Sequence, residues 1–368
     1  MGGGGVRRLV LITVVHMRIR FSLVVVVLVV ALAGCAAPPS GPTPPPTATA
    51  PASTEPPVSR LDRSCDDLLA PETVDAFAGR PTDLMRSGDQ VPRSWWDVVI
   101  RQSGTSSCAW GPGPDETVLS FTVVPDAADF YSGNDQDYTT YYERYDEFGD
   151  DSLHTCAYGQ CTFTVLVADY LVTGYASRPD LMDELDLLPV IEPVLRELVA
   201  SVREAISSAR PAWTPPAGVL PGWGYLCADG VAPIGELAAL AGLTGAFSTG
   251  GDWDAGTAAA FHHAAPSWCQ LVPETGPGYL GVAVVEGGGW VADAWMAEPP
   301  TDWRGTPFES AAVDGIGTVF VQQEEDDYHT ALFTLEGTLV WVSTTEQTRE
   351  EFLDLVSRLA EYLAERAA

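Results

Sequence analysis

Three kinds of hydrophobic pattern follow one another along the chain. Residues 21–33 are apolar apart from Ser22. Residues 36–59 contain nine prolines among Ser, Thr and Ala, with Glu55 as the only charge. No core can form there, and proline stiffens such a segment toward polyproline II. From residue 60 onward, strand-like and helix-like periods mix. Leu68, Leu69, Val74 and Phe77 make the apolar side of a short helix, and strands are expected at 118–124, 162–167 and 171–175, with a tight turn at 168–170. Further on, strands are expected at 279–285, 318–322, 330–335 and 338–343, with Glu336-Gly337 as a two-residue hairpin loop. Two amphipathic helices complete the pattern. One covers 192–208, on the stripe Leu195, Leu198, Val199, Val202 and Ile206; the other covers 348–366, on Phe352, Leu353, Val356, Leu359 and Leu363.

These periods come in two sets. Cys65-Asp66-Asp67-Leu68-Leu69-Ala70-Pro71 matches Cys227-Ala228-Asp229-Gly230-Val231-Ala232-Pro233 at Cys, Asp, Ala and Pro. Ala78-Gly79 answers Ala241-Gly242, and Cys108 and Cys269 precede their next strands at the same spacing. Each set closes with its long helix. Matching order across four elements reads as a tandem duplication. The proline-rich run 211–221 separates the copies, giving domains at 60–210 and 222–368, each of ordinary single-domain size and expected to fold alone. Helices before and after an antiparallel sheet make each an α+β domain.

The N-terminal pattern concerns export. Arg7, Arg8, Arg18 and Arg20 precede the apolar run with no acid among them, as in a secretory signal. Thirteen residues at 1.5 Å each fall short of a hydrocarbon core of ~30 Å. Apolar residues at 9–15 would favour a signal anchor, but His16, Arg18 and Arg20 interrupt them, and Met17 is an alternative start. Leu32-Ala33-Gly34-Cys35 resembles the lipobox of bacterial lipoproteins. That resemblance implies a signal peptide at 1–34, cleavage before Cys35 and diacylation of its thiol with palmitate-type chains. Two chains anchor stably where one is marginal. Residues 35–59 would then be a lipidated stalk, reaching at most roughly 70 Å at ~3.1 Å per residue.

Composition narrows the rest. All 19 basic residues are arginine. The absence of lysine excludes a P-loop, a Schiff base and a Ser-x-x-Lys acylation site, and the arginine, alanine, glycine and proline usage suggests a GC-rich genome. Loss of the four signal arginines takes the formal charge from −31 to −35, which excludes nucleic acid and repels anionic headgroups. Six cysteines besides Cys35 form an even set in an exported chain, so disulfides are expected. If the second domain folds alone, Cys227 pairs with Cys269. The repeat then pairs Cys65 with Cys108 and leaves Cys156 with Cys161, closing a hairpin.

Candidate chemistry is sparse. Tyr138, Tyr141, Tyr142, Tyr145 and Phe148 fall on one helical face, a stripe that more often packs on a sheet than stacks a sugar. Trp95, Trp96, Trp110, Tyr138, Tyr142 and Tyr145 are the candidate ligand-contacting aromatics, and Trp223 and Trp268 also lie near cysteines. Acids within 126–151 and at 252–254 lack the order of a calcium loop. His262, His263 and His329 have no free cysteine beside them for zinc, so no metal and no cofactor is expected. Gly276-Pro277-Gly278-Tyr279-Leu280-Gly281 fits a dinucleotide fingerprint by letter, but it precedes a strand and opens no helix. No nucleophile motif or triad spacing is present, while paired carboxylates for glycan hydrolysis stay open among 50 acids.

With the lipobox and Cys65…Cys108-Ala109-Trp110 in view, the chain resembles a family of actinobacterial envelope lipoproteins of unknown function. Their domain is similar to the extracellular sensor domain of mycobacterial-type serine/threonine protein kinases. Cys269-Gln270-Leu271 departs from the pattern by lacking the tryptophan. The resemblance implies a lipid-anchored, disulfide-bonded α+β protein on the outer face of the cell membrane, without catalytic residues. The expected function is binding or sensing of a cell-wall or lipid ligand or an envelope protein. A lipid carrier with an apolar cavity and an envelope glycan hydrolase are the alternatives.

Overall fold

The computed structural model describes residues 55–368 apart from 89, 114–115, 130, 132–142, 145–147, 183, 217–232, 249–254, 265, 276, 303–304, 324–327, 346 and 368. The first copy of the repeat runs α1 (Cys65–Leu68), α2 (Pro71–Ala78), β1 (Asp83–Ser87), α3 (Trp95–Gln102), β2 (Ser106–Gly111) and β3 (Leu119–Val124). It continues through β4 (Glu143–Arg144), β5 (Asp151–Ala157), β6 (Gln160–Val167), β7 (Tyr170–Ser177) and α4 (Glu184–Ile206). The second copy runs α5 (Ile234–Leu240), β8 (Ala246–Ser248), α6 (Ala255–Ala264), β9 (Ser267–Pro273) and β10 (Leu280–Val285). A 3-10 turn (Gly288–Val291) leads to α7 (Ala292–Ala297), β11 (Glu309–Val313), β12 (Gly317–Gln323), β13 (His329–Leu335), β14 (Thr338–Thr344) and α8 (Arg349–Ala367).

The fold is α+β, with two tandem antiparallel sheets of seven strands. Their orders are β1-β2-β3-β7-β6-β5-β4 and β8-β9-β10-β14-β13-β12-β11, the same topology strand for strand. The register agrees too: Cys108 on β2 faces Phe121 on β3, and Cys269 on β9 faces Val282 on β10. Two-residue turns close the hairpins, with left-handed Tyr158-Gly159 and Glu336-Gly337 matching the twist of the strands.

One face of each sheet is covered by helices of its own copy. In the first, Leu68, Val74 and Phe77 of α1–α2 and Leu187, Ile191, Leu195 and Leu198 of α4 pack on Phe121, Phe163, Val165 and Val172. Helix α4 begins eight residues before the expected start and runs through Pro189 and Pro193. An internal proline costs about 3 kcal/mol, and a buried Leu or Ile returns about 1.5–3 kcal/mol each, so the apolar stripe wins. In the second copy Leu237 of α5 and Phe352, Leu355, Val356, Leu359 and Leu363 of α8 cover Val282, Val319, Phe333 and Val342.

The other face of each sheet is covered by a helix of the other copy. Trp95, Val98 and Val99 of α3 are buried with Ala283, Val285, Leu332 and Leu339 of the second sheet. Reciprocally, Ala259 and Ala260 of α6 are buried with Val124, Leu153 and Leu171 of the first. Pro51–Ala368 accordingly form one compact unit. The helical reading of residues 138–148 is corrected at Glu143 and Arg144. These two pair with His154 and Leu153 as edge strand β4, because β5 offers an unpaired edge to a tyrosine-rich segment of high β-propensity.

Candidate functional site

Cys35, Tyr138, Tyr142, Tyr145, Trp223 and Cys227 lie outside the described residues. Cys65 is bonded to Cys108, tying α1 to β2 at a Cα–Cα distance of 5.7 Å. Cys156 is bonded to Cys161 across the β5–β6 hairpin at 4.1 Å, and the two residues face each other in register. Cys269 is also disulfide-bonded.

Two of the aromatic candidates are corrected. Trp110 is 1% exposed, in the core beside Phe121, and Trp95 is 3% exposed, with its ring 5.5 Å from those of Phe261 and Trp341. Neither can touch a ligand. The indole area gained by burial exceeds what a partly wet cleft would offer. Trp96 is half-buried and stacks 4.3 Å from Trp95 and 4.4 Å from Phe261, so it belongs to the same seam.

Beside this seam the loop from β1 to α3 forms a small cleft of about 30 Å³. Arg86, Ser87, Gln90, Arg93, Asp97, Arg101, Thr105 and Ser107 give it a polar wall, with Val91, Pro92 and Ile100 behind. Its geometry follows from local capping. Ser94 and Asp97 form a capping box on α3, and Asp97 Oδ2 accepts from the backbone N–H of Arg93 (2.9 Å) and of Ser94 (3.0 Å). Asp97 is therefore occupied by the helix start. The loop is pinned to the second copy: Trp295 Nε1 donates to Pro92 O (2.6 Å) and Thr301 N to Arg93 O (3.2 Å). Arg101 is held as well. Its Nε donates to Pro57 O (2.9 Å) and its Nη1 to Gln90 O (3.3 Å), and the guanidinium lies 5.4 Å from the Trp290 ring centre.

A second cleft, of about 210 Å³, opens where α7 meets β12 and β13. Trp295, Met296, Ile316, Phe320 and Phe333 line it with Thr318 and Thr334. It falls below the ~300–1,000 Å³ of ordinary small-molecule sites.

Three titratable groups away from the clefts are held by their neighbours. Arg178 hydrogen-bonds Asp180 and holds its carboxyl down to about 2. Burial pushes the Tyr279 phenol above its ordinary value, against the lowering effect of Ser343. His329 is fully buried, its Nε2 2.7 Å from Gln347 O and its ring stacked on Phe352. Among the described residues no cluster of His, Cys, Asp and Glu could hold a metal, and no helix is long and apolar enough to cross a membrane.

The arginine-lined cleft is absent from the sequence reading, although two signals for it exist. Ser94-Trp95-Trp96-Asp97 has the capping-box spacing that marks a helix start. Residues 84–113 carry three arginines against two aspartates in a chain of charge −31. No family model matches the chain, and no curated protein matches it. Among solved structures it is similar to DynU16, a protein of the dynemicin biosynthetic locus, at 11% identity over 78% of this chain and 94% of that one, with a TM-score of 0.12.

Proposed function

We propose that this chain is a lipid-anchored lipoprotein of the extracytoplasmic face, which binds or senses a ligand without catalysing a reaction. The observation that carries the reading is the oxidised state of the folded part: Cys65, Cys108, Cys156, Cys161 and Cys269 are all disulfide-bonded. Such cysteine usage belongs to exported proteins. It agrees with the signal-like N-terminus, with Cys35 in its lipobox-like setting and with the proline-rich segment that follows. The first folded residues sit beside the seam, where Pro57 accepts from Arg101.

The test is Cys35→Ala. The wild-type chain is expected in the detergent phase of a partition assay, with a diacyl mass on its N-terminal peptide. The variant should move to the aqueous phase. Retention of the variant in membranes would favour an uncleaved signal anchor.

The lipid-carrier reading keeps one observation in its favour, the cleft between α7 and strands β12 and β13. A carrier should extract a fluorescent fatty acid from vesicles, and Phe320→Trp should narrow the cleft and reduce the transfer.

A further inference from the structure

We propose that the cleft walled by Arg86, Arg93 and Arg101 binds one phosphate group, free or at the end of a soluble ligand. This deepens the binding reading above and rests on it. Three observations carry it.

The first is charge distribution. The chain has 50 acidic residues against 19 arginines, so carboxylates are in large excess. Arg60, Arg63, Arg80, Arg178, Arg196, Arg203, Arg210, Arg349, Arg358 and Arg366 each sit in an ion pair with one. Among the described residues Arg86 and Arg93 make no such pair, and both are exposed on the same cleft. In so acidic a protein, two guanidiniums on one cleft without an acidic partner among the described residues run against the general arrangement.

The second is preorganisation. Arg101 is fixed by two backbone carbonyls and the Trp290 ring, so its charge cannot swing away from the wall. Among the described lining residues the acid is Asp97, and its carboxylate is taken up by the start of α3. Two hydrogen bonds to the second copy hold the Pro92–Arg93 backbone in place. A site already ordered loses less entropy on binding.

The third is shape. Guanidinium forks match planar and tetrahedral oxyanions through paired N–H donors. Two forks and the hydroxyl-bearing Ser87 and Ser107 suit a tetrahedral oxyanion better than a carboxylate, which one fork satisfies. The cleft is small, about 30 Å³, so a larger ligand would extend into solvent. The second copy lacks the space. Where Ser107 lines the cleft, the corresponding place beside the half-cystine, next to Cys269, is Trp268, packed into the aromatic seam.

The overall charge repels an anionic bilayer, which favours phosphate in solution over a lipid headgroup. The experiment has two arms on the full chain in nonionic detergent: calorimetric titration with inorganic phosphate, and calorimetric titration with phosphatidylglycerol dispersed in the same detergent. Saturable phosphate binding is expected, weakened at least tenfold in the Arg86→Gln/Arg93→Gln double variant and unchanged in Arg358→Gln. Both altered arginines of the pair are exposed, so the melting temperature should stay near wild type, which separates lost binding from lost folding. Phosphatidylglycerol binding that depends on the same pair, without phosphate binding, would overturn the soluble-ligand assignment and name a headgroup instead. The proposal is overturned by dissociation constants weaker than about 10 mM in both arms. It is equally overturned by acetate binding as tightly as phosphate, or by Arg358→Gln losing as much as the pair. Detergent partition of the same preparations reports the anchor separately, so either reading can fail alone.

Discussion

The two copies share a topology yet differ on the faces they turn to each other. Across the first sheet, Ser107, Thr122, Thr173 and Thr164 are register neighbours in one row. The corresponding row of the second sheet is Trp268, Ala283, Trp341 and Leu332. Each row meets a helix of matching character. The aromatic row receives Trp95, Val98 and Val99 of α3, while α6 brings the small Ala259 and Ala260 to the first sheet. Two sheets of the same topology present equivalent surfaces, and complementary side chains make one seam of them. The large apolar area lies on the second copy's side of it. The smaller, more polar side leaves room for the arginine cleft.

The heaviest blow to this comparison is removal of one copy. Residues 222–368 expressed alone would expose Trp268 and Trp341 and lose the indole of Trp95. They are expected to melt without cooperativity and to bind a hydrophobic dye, and residues 60–210 added in trans should restore a sharp melt. A cooperative melt of the isolated half would show that the seam is dispensable. The halves should also differ in sensitivity. Trp95→Ala removes a buried aromatic ring and should cost about 3–5 kcal/mol in urea denaturation. Ala260→Leu overpacks the small-residue side, at about 1–3 kcal/mol. Equal costs would mean that the two sides pack alike.

The smallest expected effect concerns Tyr279, just before β10. By the register that aligns Cys269–Val282 with Cys108–Phe121, Val118 takes its place in the first copy. Burial raises the Tyr279 phenol above its unfolded value, so its neutral form is favoured in the folded chain. The contribution is complete below pH ~10 and is lost as pH rises beyond it. The urea midpoint should therefore fall between pH 9.5 and 11 by more in wild type than in Tyr279→Phe (roughly one pH unit centred on the ordinary tyrosine value). An identical fall in both would assign the alkaline loss to other groups.

Much of the architecture was legible because its signals are local. The strand periods at 318–322, 330–335 and 338–343 reappear as β12, β13 and β14, each one or two residues longer. Glu336-Gly337 turns as expected, with Gly337 suited to its positive φ and Glu336 held left-handed by the hairpin. Cys65 and Cys108, paired by the repeat, are bonded. What escaped were elements whose stability is borrowed. Helix α3 is only eight residues long, and its apolar side means little until a foreign sheet covers it. Strand β4 is two residues long and exists through pairing with β5. The candidate tryptophans look alike as letters, yet Trp95 and Trp110 are interior.

Sequence alone determined the duplication, the α+β class and the cysteine pairing within the first copy, because composition, period and spacing act over a few residues at a time. Tertiary structure alone decided that each sheet's second face is closed by the opposite copy, and that Arg86, Arg93 and Arg101 share a cleft. Burial of apolar area and the pairing of charges depend on which surfaces meet, and no local pattern encodes that meeting.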